Sequence, residues 1–428
     1  MVESPAAEGR AADWFEEDAV GMGVLVQKYG GSSLATAERI RAVAQRVIAS
    51  QAGGRPIVVV VSAMGDTTDD LIQLARQLAD EPDDRELDLL LSTGEMISCT
   101  LMAMTLQHAG HDAISLTGAQ AGIKTDTSHS RARIVAVDPS RIQRELAAGR
   151  IVVVAGYQGI TEEFDVTTLG RGGSDTTAVA LAAILKADEC EIYTDVEGVY
   201  TADPRVEPRA RKLAEISYEE MLELAQQGAR VMHSRAVELG SVFGVPIVVR
   251  SSFNQAPGTL IHGGASVELG NKVRGIAHDS DVAKITVVGV PDRPGIAAAL
   301  FKPLADANIS VDVIVQNTSL QGITDLSFTV ARTDLGKAVR LVEPVARDMQ
   351  ARDVATSDRL AKVSIVGTGM QHAPGYASRL FRALAERAIN IEMITTSEIR
   401  ITCLIDQDQV ANAVNVLHEA FQLDRAEI

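Results

Sequence analysis

Val24-Leu25-Val26-Gln27-Lys28-Tyr29-Gly30-Gly31-Ser32-Ser33 is the stretch from which the rest of the chain is read. Three apolar residues in succession, Val24 to Val26, suit a buried parallel strand, whose two faces are both covered. A lysine, two glycines and two serines follow. Ala35 to Ser50 then reads as a helix with an apolar stripe at Ile40, Val43, Val47 and Ile48. Strand, Gly-Gly turn and helix together aim backbone N–H groups and a positive helix end at an anion, and Lys28 puts a cation beside it. No Walker A loop is present, because G-x-x-x-x-G-K-[ST] does not occur. Alone, Lys-x-Gly-Gly fits a tight βα turn equally well.

Working outward, strands alternate with helices from residue 24 to 262. Pro56 to Val61 is a second buried strand, running into Ser62-Ala63-Met64-Gly65-Asp66-Thr67-Thr68; Asp69 to Leu78 reads as a helix. Glu86 to Leu91 leads into Ser92-Thr93-Gly94-Glu95 and a helix through Met104. Ile151 to Ala155 and Glu191 to Thr194 are further strands, and Pro246 to Arg250 another. This alternation predicts an α/β domain on a mostly parallel sheet. A second Gly-rich helix entry, Thr167-Thr168-Leu169-Gly170-Arg171-Gly172-Gly173-Ser174-Asp175, offers backbone donors, one guanidinium and one carboxylate. Arg171 suits a carboxylate or phosphate, since its planar fork binds two oxygens. Asp175 suits orienting Lys28, helping to hold a metal ion, or capping a helix. Glu95 suits either ligand binding or the first turn of a helix.

Composition sets outer limits. A chain of 428 residues is expected to form two or three domains. With 46% hydrophobic and 23% charged residues it is globular, and a net charge of -17 argues against nucleic-acid and anionic-membrane partners. Cys99, Cys190 and Cys403 are far apart and lack metal-ligand spacing, which suits free thiols in a reducing cytoplasm. Residues 1–21 are acidic and Ala-rich, unlike a signal peptide, and are expected to be a disordered extension. No apolar run approaches the roughly 18 residues that span a bilayer.

Beyond a Gly-containing polar stretch the sequence repeats itself about 78 residues apart. Lys284 to Gly289 corresponds to Lys362 to Gly367, Pro294-Gly295 to Pro374-Gly375, Leu300-Phe301 to Leu380-Phe381, and Ile309-Ser310-Val311 to Ile389-Asn390-Ile391. Each copy reads as a ferredoxin-like βαββαβ unit. The expected domains are therefore a disordered extension at 1–21, a catalytic domain at 22–262, a linker at 263–280, and repeats at 281–355 and 356–428.

Two Gly-rich helix entries with one lysine and one arginine meet the needs of phosphoryl transfer, which are positioning and charge neutralisation. No GxGxxG fingerprint or Ser/His/Asp set is evident. At this point the motifs carry a resemblance. Lys28-Tyr29-Gly30-Gly31-Ser32-Ser33, Ser62-Ala63-Met64-Gly65, Ser92-Thr93-Gly94-Glu95, Thr168 to Asp175, and Tyr200-Thr201-Ala202-Asp203-Pro204-Arg205 together resemble the aspartate kinases, in order over about residues 24–424. The repeats resemble that family's paired ACT domains.

The resemblance implies an amino acid kinase fold followed by two ACT domains. It implies transfer of a phosphoryl group from ATP, with Mg²⁺, to the side-chain carboxylate of L-aspartate, the first step towards lysine, threonine, methionine and diaminopimelate. It gives Lys28, Asp175 and Arg171 catalytic roles. It places Lys28, Tyr29, Gly30, Gly31, Ser62, Tyr193, Thr194, Val199, Tyr200, Thr201, Ala202, Asp203, Pro204 and Lys212 around the nucleotide. Asp66, Thr67, Glu95, Arg171, Gly172, Gly173 and Ser174 fall around the acceptor, with Glu95 on its ammonium and Arg171 on its α-carboxylate. No direct protein ligand to a metal is assigned.

By the same resemblance, amino-acid effectors (lysine and/or threonine) would meet Asp292, Arg293, Pro294, Gly295, Ile296, Ala297, Ser310, Val311, Asp312 and Gln316 in the first copy. In the second they would meet Tyr376, Ala377, Asn390, Ile391, Ser397 and Glu398. A homo-oligomer through the ACT domains is implied, and some relatives add a separate C-terminal regulatory subunit. Ala119, Ile323 and His372-Ala373-Pro374 depart from the usual pattern, and the last two lead to an expectation of weakened feedback inhibition. The rival readings are a glutamate or acetylglutamate kinase of the same fold, or a non-catalytic amino-acid sensor; the latter predicts loss of Lys28 or Asp175, and both are present.

Overall fold

The computed structural model describes residues 23–264, 272–316, 322–370 and 373–425. The expected disordered extension and His372 lie outside them. The described chain forms two compact units: residues 23–199, 212–225 and 230–264 in one, and 200–211, 226–229 and 272–425 in the other.

The first unit is built from β1 (Leu25–Tyr29), α1 (Ala37–Ser50), β2 (Ile57–Val61), α2 (Thr67–Leu78), α3 (Asp84–His108), β3 (Ala113–Leu116), β4 (Ile123–Thr125), β5 (Ile134–Val137), α4 (Ser140–Ala147), β6 (Ile151–Ala155), β7 (Gln158–Ile160), β8 (Val166–Thr168), α5 (Gly173–Ile184), β9 (Glu189–Thr194), β10 (Glu215–Ser217), α6 (Tyr218–Gln226), α7 (Ser234–Phe243), β11 (Ile247–Ser251) and β12 (Thr259–His262). Eight strands form one sheet in the order β10-β12-β11-β9-β1-β2-β6-β3, parallel except for the β11–β12 pair. Its centre is β1, flanked by β2 and β9 with Lys28 in register with Val60 and Ile192. The all-apolar IVVVV of β2 and IVVVA of β6 are fully buried, as strands covered on both faces must be. α1 and α3 cover one face through Val43, Val47, Met102 and Leu106. Because the chain leaves β1 towards β2 and returns on its other side at β9, the carboxyl end of β1 lies at a topological switch point, where open α/β sheets bind ligands.

A small second sheet, β5-β4-β7-β8, was not legible in the sequence; its strands are three or four residues long, too short to show a period. α3 also differs from expectation. It is one unbroken 25-residue helix running straight through Ser92-Thr93-Gly94-Glu95, so Glu95 is a mid-helix residue and not a first-turn one. Gly94 is tolerated there because a Cβ would lie 2.9 Å from the Cβ of Ala63. By length and composition α3 could cross a membrane, but half of its apolar window is buried inside the protein, as in a core helix.

The second unit contains β13 (Gly275–Pro291), α8 (Ile296–Asp306), β14 (Ile314–Gln316), β15 (Ile323–Val330), α9 (Leu335–Asp348), β16 (Asp353–Val366), α10 (Tyr376–Glu386), β17 (Met393–Thr396), β18 (Arg400–Asp406) and α11 (Val410–Ala420). Its six-stranded antiparallel sheet has the order β14-β15-β13-β16-β18-β17. α8 and α9 cover the first half around Leu300, Leu304 and Phe328, and α10 and α11 the second around Leu380, Leu384 and Leu417.

The repeats share their strands. Lys284 to Val288 of β13 pairs with Asp353 to Ser357 of β16, while Gly275 to Asp279 pairs with Lys362 to Val366. The fourth strand of the second copy therefore comes from before the first. The expected linker at 263–280 is corrected accordingly: from Gly275 onward it is strand, and residues 265–271 lie outside the described set. The expected start of the second copy at 356 falls inside β16, which serves both copies.

Candidate active site

The carboxyl end of β1 turns into the site. Gly31 begins a short 3-10 turn, Gly31–Leu34, and a Cβ on it would sit 2.9 Å from the carbonyl oxygens of both Ala63 and Gly65. Glycine is therefore required by a close backbone approach, closed by Gly65 N–H donating to Gly31 O at 3.0 Å. Lys28 Nζ lies 2.6 Å from Asp175 Oδ1, and the two side chains are only 12% and 10% exposed. Asp175 sits in the first turn of α5, whose N-cap is Gly172 in the left-handed region (φ +74°), so the capping role considered for Asp175 does not hold. Its Oδ2 accepts from the His233 backbone N–H at 3.4 Å.

Glu95 is 3% exposed. Its Oε1 accepts from Ala63 N–H at 3.0 Å, while Oε2 is buried with no hydrogen-bond partner among the described residues. Burial pushes its carboxyl up to about 7, against the opposing pull of the Ala63 N–H and its own backbone. Thr67 lies next to Gly94, and its hydroxyl donates to Met64 O at 2.6 Å; Asp66 is exposed at the start of α2. Arg171 is exposed and makes no ion pair among the described residues. Gly173 is held close, a Cβ there meeting Leu169 and the ring of Tyr157 at 2.8 and 2.9 Å. Ser174 packs on Gly156 at the end of β6.

Tyr157 was not singled out from the sequence. It adopts φ +69°, with its N–H donating to Thr177 Oγ1. Burial raises its phenol above the usual tyrosine range; Thr168 opposes that, Glu95 and Asp88 add to it, and Arg171 opposes it. One phenol thus senses both proposed acceptor-binding charges. His233 was missed as well, because a lone loop histidine carries no local signal. Its ring lies where a Cβ on Gly172 would clash at 2.3 Å, and burial lowers its pKa.

The nucleotide set divides. Tyr29 and Tyr193 stack on each other at 4.7 Å with both rings buried in the core. Burial holds the Tyr29 phenol above its usual range and lifts that of Tyr193 to about 12. Ser62 N–H donates to Tyr29 O, Thr194 hydroxyl meets Asp195, and Lys212 meets Pro257 O and, at 3.9 Å, Glu197. Val199 is tied to Thr259. Tyr200 to Arg211 belongs to the second unit. There Thr201 is fully buried and its hydroxyl meets His418 Nε2 at 3.0 Å, and Ala202 is part of the α10–α11 core. Asp203 is paired with Arg205, which holds its carboxyl below the usual range.

Of the effector positions, Asp292, Arg293, Pro294, Gly295, Ser310 and Gln316 are exposed, as are Asn390, Ser397 and Glu398. Ile296 is buried, and Ala297, Val311, Ala377 and Ile391 pack against the two cores. Two positions already have partners: Asp312 pairs with Lys362 at 2.8 Å, and Tyr376 stacks on Phe421 while its hydroxyl accepts from Lys272 N–H. The departure at Ile323 is an exposed residue opening β15.

Residues 23–251 match the amino acid kinase family, and residues 285–344 and 363–421 each match the ACT domain. The chain is 50% identical over 404 residues to an aspartate kinase of Stutzerimonas stutzeri (strain A1501), covering 94% of this chain and 98% of that one. It is also 50% identical over 407 residues to an aspartokinase of Mycolicibacterium smegmatis, covering 94% and 97%. The chain belongs to the aspartokinase family. It is thus a phosphotransferase with a carboxyl group as acceptor, phosphorylating the side-chain carboxylate of L-aspartate, with ACT domains for regulation. Among solved structures, E. coli aspartokinase III in complex with aspartate and ADP is similar at a TM-score of 0.78 and 25% identity, over 93% of this chain and 99% of that one. The same enzyme with lysine and aspartate is similar at 0.71 and 26%, with the same coverage. At these identities the aspartokinase reading displaces the glutamate-kinase and sensor alternatives.

Proposed function

We propose that Lys28, held by Asp175, neutralises charge on the phosphoryl group passing from ATP to aspartate, while Glu95 and Arg171 hold the acceptor. The observation that carries this is a pair of groups unmatched among the described residues: a buried Glu95 oxygen without a partner and an Arg171 guanidinium without an ion pair. A free amino acid brings one ammonium and one carboxylate, which match them one to one. Its side-chain carboxylate then stays unbound as the nucleophile, so binding energy is converted into orientation. Gly31 and Gly30 let backbone N–H groups approach the phosphates, and Thr67 and Ser174 line the acceptor side.

Mg²⁺ bound to the nucleotide would neutralise charge on its phosphate oxygens. Mg²⁺ in kinases is usually carried on phosphates with few protein ligands. Lysine, threonine or both are the proposed effectors, at Asp292 to Ala297, Ser310 to Asp312 and Gln316 in the first copy and at Tyr376, Ala377, Asn390, Ile391, Ser397 and Glu398 in the second, with copies of the chain associating through the ACT domains. A reducing cytoplasm suits its three buried free thiols.

The test is the KM for aspartate of Glu95→Gln and Arg171→Lys, with ATP saturating. Each removes one charge-assisted contact and should raise that KM by about 10- to 100-fold. Unchanged values from both variants would reject this division of labour.

A further inference from the structure

Glu95 and Arg171 come from different elements, α3 and the turn before α5, so something must set their spacing. Asp88 is on the same helix as Glu95, seven residues or about two turns earlier, and its side chain is fully buried. Three donors converge on that carboxylate. Thr168 Oγ1 donates to Oδ1, and Ser130 N–H (2.9 Å) and His129 Nδ1 (3.0 Å) meet Oδ2. A carboxylate only accepts, so His129 carries its hydrogen on Nδ1.

What Asp88 grips is the framework of the arginine turn. Thr168 ends β8, three residues before Arg171, and its carbonyl accepts from Ala132 N–H. Ser130 sits at φ +66°, an uncommon conformation for serine, and its hydroxyl is also bound by Asp84 one turn earlier on α3. The Ser130 carbonyl lies 2.9 Å from where a Cβ on Gly170 would be. Arg235 closes the other side, donating to Leu169 O at 2.7 Å and Ala132 O at 2.9 Å.

We propose that Asp88 is a positioning residue for the acceptor: one buried carboxylate on the Glu95 helix that fixes Thr168 and the His129–Ser130 loop, and through them Arg171. It makes the distance between the two head-group contacts a property of a single rigid helix. Fixing that distance fixes the head group of the acceptor, and with it where the side-chain carboxylate meets the phosphoryl group. The inference rests on Glu95 and Arg171 holding the acceptor.

Thr168→Val and Asp88→Asn test it, measured beside Arg171→Lys. Thr168→Val keeps the shape and removes one donor. Asp88→Asn turns an N–H towards groups that themselves donate. Both should raise the KM for aspartate about tenfold or more and leave the KM for ATP within about twofold. Thr168→Ser should restore wild-type values, and the double variant should be no worse than its worse parent. If Asp88→Asn does not fold, Thr168→Val carries the test. A folded Thr168→Val with an unchanged KM for aspartate overturns the proposal when Arg171→Lys raises it. If Arg171→Lys also leaves it unchanged, the underlying reading falls and the proposal with it.

Discussion

Lys28 Nζ stands 2.6 Å from Asp175 Oδ1, with both side chains about nine-tenths buried. β1 delivers the lysine and the first turn of α5 the aspartate, so the pair joins the two Gly-rich entries into one centre. Removing one partner of a buried pair leaves an uncompensated charge. Asp175→Asn should therefore lose about 3 kcal/mol of stability, more than Lys28→Met with Asp175→Asn together. Chemical denaturation of the single and double variants measures this; a double-variant loss equal to the sum of the two single losses would mean that the pair is not coupled.

Glu95 predicts a pH dependence. Its carboxyl is raised to about 7 by burial, above the ordinary 4.5. A raised acid favours the fold at low pH, and that contribution is lost as pH rises from about 4.5 through 7, by up to about 3 kcal/mol. Glu95→Gln does not titrate, so its melting temperature relative to wild type should climb between pH 5 and pH 8.5. Over the same range the wild-type KM for aspartate should fall, since only the ionised carboxylate pairs with an ammonium. A melting difference independent of pH would contradict both.

Much of this site was legible because its chemistry is written in glycine. Gly30-Gly31 and Gly170 to Gly173 announce close backbone approach, and the apolar runs at 57–61 and 151–155 announce a parallel sheet. Side-chain direction was not legible. Tyr29 lies beside the site in sequence, yet its ring is in the core, because β1 is covered on both faces. Glu95 suited a helix's first turn, but Gly94 before it is a contact point with Ala63 in the middle of α3. Asp88 gave no sign at all: beside Asp84 and Glu86 at the start of α3 it looks like one more solvent-exposed acid until Thr168, His129 and Ser130 are seen around it. The strand exchange between repeats was hidden too, since nothing local tells where Gly275 to Asp279 pairs.

Gly31→Ala should fail at the phosphate side. Its methyl would meet two backbone carbonyls at 2.9 Å, neither of which can swing away like a side-chain tip. The expected result is a loss of about 1–3 kcal/mol of stability and a rise in the KM for ATP larger than that for aspartate. Steady-state kinetics with each substrate varied would show it; equal effects on the two constants would argue against a phosphate role for this turn.

Thr201→Val probes the second unit. Thr201 and His418 are both fully buried, and the change leaves His418 Nε2 without its hydroxyl partner. A loss of about 1–3 kcal/mol is expected. Chemical denaturation beside wild type measures it. Undiminished stability would mean that the buried Thr201–His418 contact contributes nothing to this core.

The most direct test of the central claim traps the acyl phosphate with hydroxylamine, using ATP, Mg²⁺ and L-aspartate, with glutamate and acetylglutamate as rival acceptors and Lys28→Met as the control. The account predicts hydroxamate from aspartate alone, and its loss in Lys28→Met while ATP binding persists. Hydroxamate from a rival acceptor, or undiminished turnover by a folded Lys28→Met, would contradict it.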